Sequence, residues 1–171
     1  MSKDEKSTSD NCSDIKKYIG SMWKELIENV SGIELVEDMS KYVDVNTMGV
    51  VYSHVKDNPQ VYMAICFNRE MVDLIAEYML GEPVNDQEEK IECIKEFANI
   101  VCGRLFGLIH KKTGKSIWFL PPKYVEGCNV DTSMKDDMVS FYYKNDGLGL
   151  VILLYDKKLE LILEDRLEGL N

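Results

Sequence analysis

The sequence predicts a mixed α/β (α+β) domain. Hydrophobic residues recur at three- and four-residue steps in long segments, as in amphipathic helices, and two pairs of short apolar segments flank turn signals, as in β hairpins. The chain has 171 residues, of which 45% are hydrophobic. A chain of about this length buries roughly 70% of its unfolded surface, so its core needs neither a disulfide nor a metal. We therefore predict one domain over residues 13–171.

The amino-terminal part of the chain divides into a polar segment and an amphipathic one. Residues 1–12 are mostly charged or polar and have little to bury, so we expect a disordered tail. Residues 14–30 carry apolar side chains on one helical face, and Ser31-Gly32 ends this predicted helix. The stretch from Gly32 to Asp38 is compatible with either a short strand or a loop.

A hairpin and a short helix are predicted next. Val61, Met63, Ile65 and Phe67 alternate with Tyr62, Ala64 and Cys66, and we predict a hairpin of residues 50–56 and 60–67 on either side of an Asp-Asn-Pro turn. A helix is predicted over 69–81, with Asn68 as its N-cap and Gly81 as its end.

A second hairpin is predicted near the carboxyl end. Residues 138–144 and 148–155 are joined by Asn145-Asp146-Gly147, a strong hairpin turn signal. Residues 148–155 are apolar at consecutive positions, so this strand should lie inside the sheet. Residues 157–170 are compatible with a short amphipathic helix.

The longest predicted helix lies between the two hairpins. Asn85-Asp86-Gln87-Glu88 has the pattern of a capping box, and the helix is expected to continue to about Lys112. Positive side chains at its end suit the carbonyl pole of the helix. The predicted core stripe consists of Ile91, Ile94, Ala98, Val101, Leu105, Leu108 and Ile109.

The face opposite this stripe carries Glu92, Glu96, Asn99, Gly103 and Gly107. These five residues fall within about 80° of one another at 100° per residue. Glycine inside an exposed helix costs about 1 kcal/mol relative to alanine, so two on one face need a reason. One interpretation is a docking face onto which another backbone fits. The other is an ordinary solvated face whose glycines are incidental or pack against a neighbouring element.

Charge and composition restrict the class of function. The chain has 20 basic and 30 acidic residues and a net charge of −10, which argues against nucleic acid as a partner. Its five cysteines form no C-x-x-C pair, and its two histidines have no ligand spacing, so no metal site is expected. We also expect no membrane span, no secretory signal and a cytoplasmic protein with free thiols. No phosphate-binding loop or nucleophile motif is complete.

The long helix contains a motif that resembles a known family. Glu96-Phe97-Ala98-Asn99 resembles the E-x-x-N signature of the CheC, CheX and FliY phosphatases of bacterial chemotaxis, in which a proline follows after twenty-two residues. Pro122 stands at that position, because residues 100–121 fill the gap. The resemblance extends from about Gly49 to Tyr155, and its single signature is similar to the CheX branch. Glu92 departs from the pattern, which often has Asp or Ser there.

The resemblance implies a fold, an activity and partners. The fold is a largely antiparallel sheet with long helices packed on it, as in CheC, and the predicted order of elements agrees. The activity is hydrolysis of the aspartyl phosphate of a CheY-type response regulator. By position, Glu96 would pair with the regulator's lysine and Asn99 would orient the attacking water, with Glu92, Gly103 and Gly107 in the docking face.

The resemblance further implies no cofactor of the protein's own, because Mg²⁺ would be bound by the phosphorylated receiver domain. It also implies a homodimer that associates through sheet edges. Two other interpretations stay open. The protein could be a non-catalytic module that binds a receiver domain or a flagellar-switch component, or a structural homodimer whose helix face is idle.

Overall fold

A computed structural model describes residues 4–38, 49–114, 116–127, 137–147 and 149–164. The helices are α1 (Asp4–Ser31), α2 (Arg69–Leu80), α3 (Gln87–Thr113) and α4 (Lys158–Glu164). The strands are β1 (Val36–Glu37), β2 (Gly49–Val55), β3 (Asn58–Phe67), β4 (Lys123–Glu126), β5 (Met138–Lys144) and β6 (Leu150–Asp156). They form a sheet in the order β1-β5-β6-β3-β2-β4, with antiparallel pairing throughout. The predicted α/β (α+β) class with an antiparallel sheet is confirmed.

Both predicted hairpins are present. β2 and β3 pair from Gly49↔Phe67 to Val55↔Asn58, and β5 and β6 pair along their full length. β6 lies between β5 and β3, so the prediction that the apolar strand is internal is confirmed. The ambiguous stretch after α1 contains the two-residue strand β1, which pairs with the end of β5.

The structure extends α1 beyond the predicted helix. α1 begins at Asp4, which differs from the disordered tail predicted for residues 1–12. The added turns contain lysine, glutamate, aspartate and serine, and lengthening a helix that already exists requires no new nucleation. At the other end of the chain, α4 occupies Lys158–Glu164, and the rest of the helix predicted over 157–170 falls largely outside the described residues.

The cap of α3 lies one residue later than predicted. Asp86, not Asn85, is the N-cap, and its side chain accepts a hydrogen bond of 2.8 Å from the backbone N–H of Glu89. Both residue types are good caps, so the pattern alone could not choose between them. The last helical residue is Thr113, one residue past the predicted end, and Gly114, with φ of 70°, caps the helix.

The two faces of the sheet are buried differently. Side chains at Val51, Ile65 and Leu153 face the helices and join the main hydrophobic core, which also contains Trp23 of α1 and Phe97 of α3. Alternate positions on the opposite face form a smaller cluster made by Val50, Ala64, Cys66, Tyr142, Ile152 and Leu154. α3 contacts both α1 and α2 on the helical side, which fixes which of its faces is left outward.

The predicted core stripe of α3 is largely confirmed, with two corrections. Ile94, Ala98, Val101, Leu105 and Ile109 are buried and Ile91 is half-buried, whereas Leu108 is 38% exposed. Phe97, absent from the predicted stripe, is fully buried and contacts Phe67 edge to face. Leu108 lies near the end of α3, where its part of the helix surface is left open to solvent.

Candidate functional site

The outward face of α3 has the exposure that the sequence predicted. Glu92, Glu96, Asn99, Gly103 and Gly107 are all exposed. They line one wall of a groove with a volume of about 830 Å³. The structure therefore brings all five predicted residues to one concave surface.

The second wall of the groove is the segment 116–122, which runs from the end of α3 to the start of β4. Its backbone is held against β2 and the turn after it. The N–H of Lys56 donates to the Trp118 carbonyl at 2.8 Å, and the N–H of Leu120 donates to the His54 carbonyl at 2.9 Å. These ladder-like bonds hold the segment as an extended wall.

Side chains also hold the two walls together. Phe119 stacks on Phe106 of α3, with ring centroids 4.2 Å apart and planes within 10°. The Ser53 hydroxyl donates to the Leu120 carbonyl. Stacked aromatic rings stabilise a structure by more than their buried area alone, so this contact helps to hold the second wall against α3.

Pro122 lies in this second wall, facing the same groove as Asn99. The proline and the asparagine are separated by residues 100–121, so the chain completes α3 and returns along the second wall between them. The twenty-two-residue spacing between Asn99 and Pro122, on which the family resemblance rests, thus places these two residues on opposite walls of one groove.

The charged residues at this site are not equivalent. Glu92 forms an ion pair with Lys95 at 2.6 Å. Glu96 and Asn99 have no hydrogen-bond or ion-pair partner for their side chains within the part of the chain that the structure describes. The free carboxylate at this site is therefore that of Glu96, with the Asn99 carboxamide on the next turn.

The two glycines of the face have no packing role inside the described chain. A Cβ atom added at Gly103 or Gly107 would meet nothing within 4 Å. Gly20 of α1 differs, because a Cβ there would lie 2.5 Å from the ring of Phe141. Close packing against a described element therefore explains Gly20 but neither glycine of α3.

The cysteines at and near the groove are not activated as nucleophiles. Burial raises the pKa of the Cys102 thiol, which borders the groove, to about 12, so the thiol stays protonated at neutral pH. Burial, and then the charges of Glu89 and Glu92, also raise the pKa of Cys93. Among the described residues, no group of three or more histidine, cysteine or acidic side chains could hold a metal ion.

The arrangement suits positioning chemistry. Residues three apart on a helix have Cβ atoms about 5–6 Å apart, so Glu96 and Asn99 can contact one ligand together. The carboxylate can pair with a cation, and the amide can both donate and accept hydrogen bonds without carrying charge. Such a pair can position a ligand without itself supplying a nucleophile or a metal.

Sequence reasoning missed the second wall and β4. Trp118 and Phe119 belong to an Ile-Trp-Phe-Leu run that precedes Pro121-Pro122, and this concentration of aromatic side chains next to a breaker was the available signal. β4 pairs with β2 from Tyr52↔Lys123 to Gly49↔Glu126. The wall depends on contacts far apart in the sequence, which local patterns do not report.

Solved structures with a similar fold include CheX and FliY. CheX in a CheX-CheY-BeF3-Mg²⁺ complex from Borrelia burgdorferi is 16% identical, with a TM-score of 0.58 over 81% of this chain and 94% of that one. CheX from Vibrio vulnificus is 18% identical, with a TM-score of 0.62 over 80% and 92%. FliY from Thermotoga maritima is 18% identical, with a TM-score of 0.62 over 91% and 96%. The fold is thus of the CheC/CheX/FliY class.

The sequence itself identifies the family within this class. The family model described as chemotaxis phosphatase CheX matches residues 50–145, more than half of the chain. The protein belongs to the CheX family. Comparison with curated proteins finds no significant match. In the parts of the chain that the structure describes, no helix combines the length and the apolar character needed to cross a bilayer.

Proposed function

We propose that this protein is a phosphatase of a phosphorylated CheY-type response regulator and that Glu96 and Asn99 perform its chemistry. One observation carries the proposal: in a chain of the CheX family, the outward face of α3 holds an unpartnered carboxylate and an unpartnered carboxamide on adjacent turns within a groove. The CheX-CheY complex from Borrelia burgdorferi supports the choice of a CheY-type partner.

The substrate's chemistry requires no nucleophile from this chain. An aspartyl phosphate is an acyl phosphate and is already reactive, so catalysis requires mainly that water be held in line with the leaving oxygen. We propose that Asn99 enters the regulator's site and accepts a hydrogen bond from this water. Its neutral amide avoids the repulsion that a carboxylate would meet beside phosphate oxygens.

Glu96 would act one turn before the amide. Its free carboxylate would pair with the regulator's active-site lysine and so fix the orientation of α3 on the receiver domain. Glu92 would not pair with the regulator's lysine in this way, because its carboxylate already forms an ion pair with Lys95 of α3. We therefore assign Glu92, Gly103 and Gly107 to docking.

The metal would arrive with the partner. We propose that Mg²⁺ is bound by the phosphorylated receiver domain and that the protein itself needs no cofactor. The presence of Mg²⁺ in the Borrelia burgdorferi complex supports this. From the family to which the chain belongs, we also propose a cytoplasmic location and a homodimer that associates through sheet edges.

A phosphate-decay assay tests the proposed activity. Receiver domains of the CheY type from the same organism are phosphorylated with a small-molecule donor in Mg²⁺, and loss of phosphate is followed with and without the protein. We expect faster decay for at least one domain. Hydrolysis of free acetyl phosphate is the control, and it should stay unchanged because it offers no docking surface.

The second candidate function is a non-catalytic module that binds a receiver domain or a flagellar-switch component. The exposed groove itself supports this candidate, because a docking surface can bind a partner without accelerating a reaction. The decay assay separates the two, because a receiver domain that binds while its phosphate decays at the unassisted rate would contradict the phosphatase and select the module.

A further inference from the structure

Trp118 in the second wall of the groove is unusually exposed for its size. Its side chain is 68% exposed, whereas the chain's other tryptophan, Trp23, is fully buried in the core. Tryptophan carries one of the largest apolar surfaces of any side chain, and it is enriched at the residues that dominate binding energy in protein interfaces. Packing within the main core therefore does not explain why a tryptophan stands at position 118.

The exposure does not result from a loose loop. The carbonyl of Trp118 accepts the N–H of Lys56, and Phe119 forms a bridge with Val55 while its ring stacks on Phe106. Because successive side chains of an extended segment point to opposite sides, the inward anchoring of Phe119 turns Trp118 outward. The backbone that carries the tryptophan is therefore held in place before any partner arrives.

Trp118 belongs to the same groove as the predicted catalytic pair. Glu96 and Asn99 form the polar part, and Gly103 and Gly107 extend the α3 wall without side chains. Facing them, Trp118 and the 41% exposed Leu120 give the second wall an apolar surface. The groove thus has a polar part that suits chemistry and an apolar part that suits binding.

A partner that engages the polar part must also cover the apolar part. A specific interface buries about 800 Å² on each partner, which is far more than one carboxylate and one carboxamide supply. A folded domain that inserts Asn99 into its own site therefore extends across the groove to the second wall. Because the two walls form one continuous groove, the domain that receives Asn99 is also the partner that covers Trp118.

We propose that Trp118 is a binding anchor for the phosphorylated receiver domain and contacts an apolar patch beside that domain's phosphorylation site. The inference rests on the proposed function for the identity of the partner. Trp118 acts on affinity and leaves the chemical step to Glu96 and Asn99. It thereby contributes to the choice among receiver domains that share the same phosphorylation chemistry.

Kinetics with varied receiver concentration test the anchor. Trp118→Ala should raise the apparent KM about tenfold or more, because interface anchors commonly lose at least that factor on truncation. It should change kcat by less than about twofold, because the lost contact stabilises the bound substrate and the transition state equally. Trp118→Phe should retain part of the affinity. Tyr78→Ala is the matched control, because Tyr78 of α2 is 55% exposed and lies outside the groove.

Three results would overturn the inference. The first is an apparent KM for Trp118→Ala equal to that of Tyr78→Ala. The second is a loss confined to kcat. The third is a change in the oligomeric mass of Trp118→Ala with KM unchanged, which would assign the surface to a second copy of the chain.

Fluorescence quenching tests the contact without relying on catalysis. Iodide should reach Trp118 and leave the buried Trp23 unquenched. Addition of a receiver domain saturated with BeF3⁻ and Mg²⁺, with its own tryptophans replaced by phenylalanine, should protect Trp118. Unchanged quenching on binding would overturn the anchor. Protection with no stimulated decay would instead contradict the phosphatase and leave the anchor supported.

Discussion

At the residue scale, three acidic or amide side chains on one face of α3 differ in their surroundings. Glu92 is engaged by Lys95, whereas Glu96 and Asn99 are unpartnered within the described chain. The sequence was sufficient to place all three on the outward face, because helical periodicity alone determines direction. The sequence could not show which glutamate pairs with Lys95, because Lys95 follows Glu92 by three residues and directly precedes Glu96. The environment of each carboxylate depends on side-chain conformation.

Reversal of the Glu96 charge should impair docking and turnover. Glu96→Lys would place like charges together at the regulator's lysine, which costs enough to lower kcat/KM by at least about tenfold. Stimulated decay of the phosphorylated receiver measures this loss. Glu77→Lys is the control, because Glu77 is an exposed residue of α2 outside the groove and the change in net charge is identical. Equal losses in both variants would assign the effect to long-range charge and contradict the pairing.

At the element scale, sequence patterns predict α2 with its Asn68 cap and Gly81 end, and they predict α3 nearly as well. Its bounds were predicted within two residues, because a capping pattern and a glycine mark its ends. Phe97 and Leu108 lie on the same flank of the predicted stripe, but their burial differs. Phe97 is fully buried and contacts Phe67 in the core, whereas Leu108 is 38% exposed although Leu105 and Ile109 are buried. A helical wheel specifies direction alone, and burial also depends on which element packs against that turn.

The glycines of α3 provide a prediction about the whole helix face. Gly103→Ala should raise the free energy of unfolding by up to about 1 kcal/mol, because alanine favours the helix and its Cβ meets nothing. The same change should weaken binding of the receiver domain, because the Cβ would occupy the space that a close backbone needs. Urea unfolding and receiver titration measure the two effects.

Gly107→Ala provides the internal comparison. It should stabilise the helix similarly and affect receiver binding less, since Gly107 lies one turn further from Asn99. A Gly103→Ala variant that gains stability with unchanged affinity would contradict the close approach of a partner at this turn.

At the scale of the whole molecule, the groove is a product of tertiary structure. Its α3 wall could be predicted from periodicity, but segment 116–122 is held by residues of β2 and the following turn, more than fifty positions earlier in the chain. β4 is short and mostly exposed, so its sequence carries little alternation. The predicted hairpins fared better because a local turn specifies their pairing.

The proposed homodimer is also a property of the whole molecule. In the described sheet the outermost strands are β1 and β4, and edge strands can pair with a second chain. We expect light scattering to give twice the chain mass over a wide range of concentration. A mass equal to one chain throughout that range would contradict association through the sheet edges.

The most direct test of the central claim is the decay of the phosphorylated receiver domain with Asn99→Ala. Asn99 is exposed and unpartnered in the described structure, so the substitution should leave folding intact. Loss of one positioned polar group should lower stimulated hydrolysis by about 10² or more at saturating receiver. Binding of the BeF3⁻-treated receiver domain should persist. Stimulation by Asn99→Ala equal to that of the wild-type protein would contradict the account.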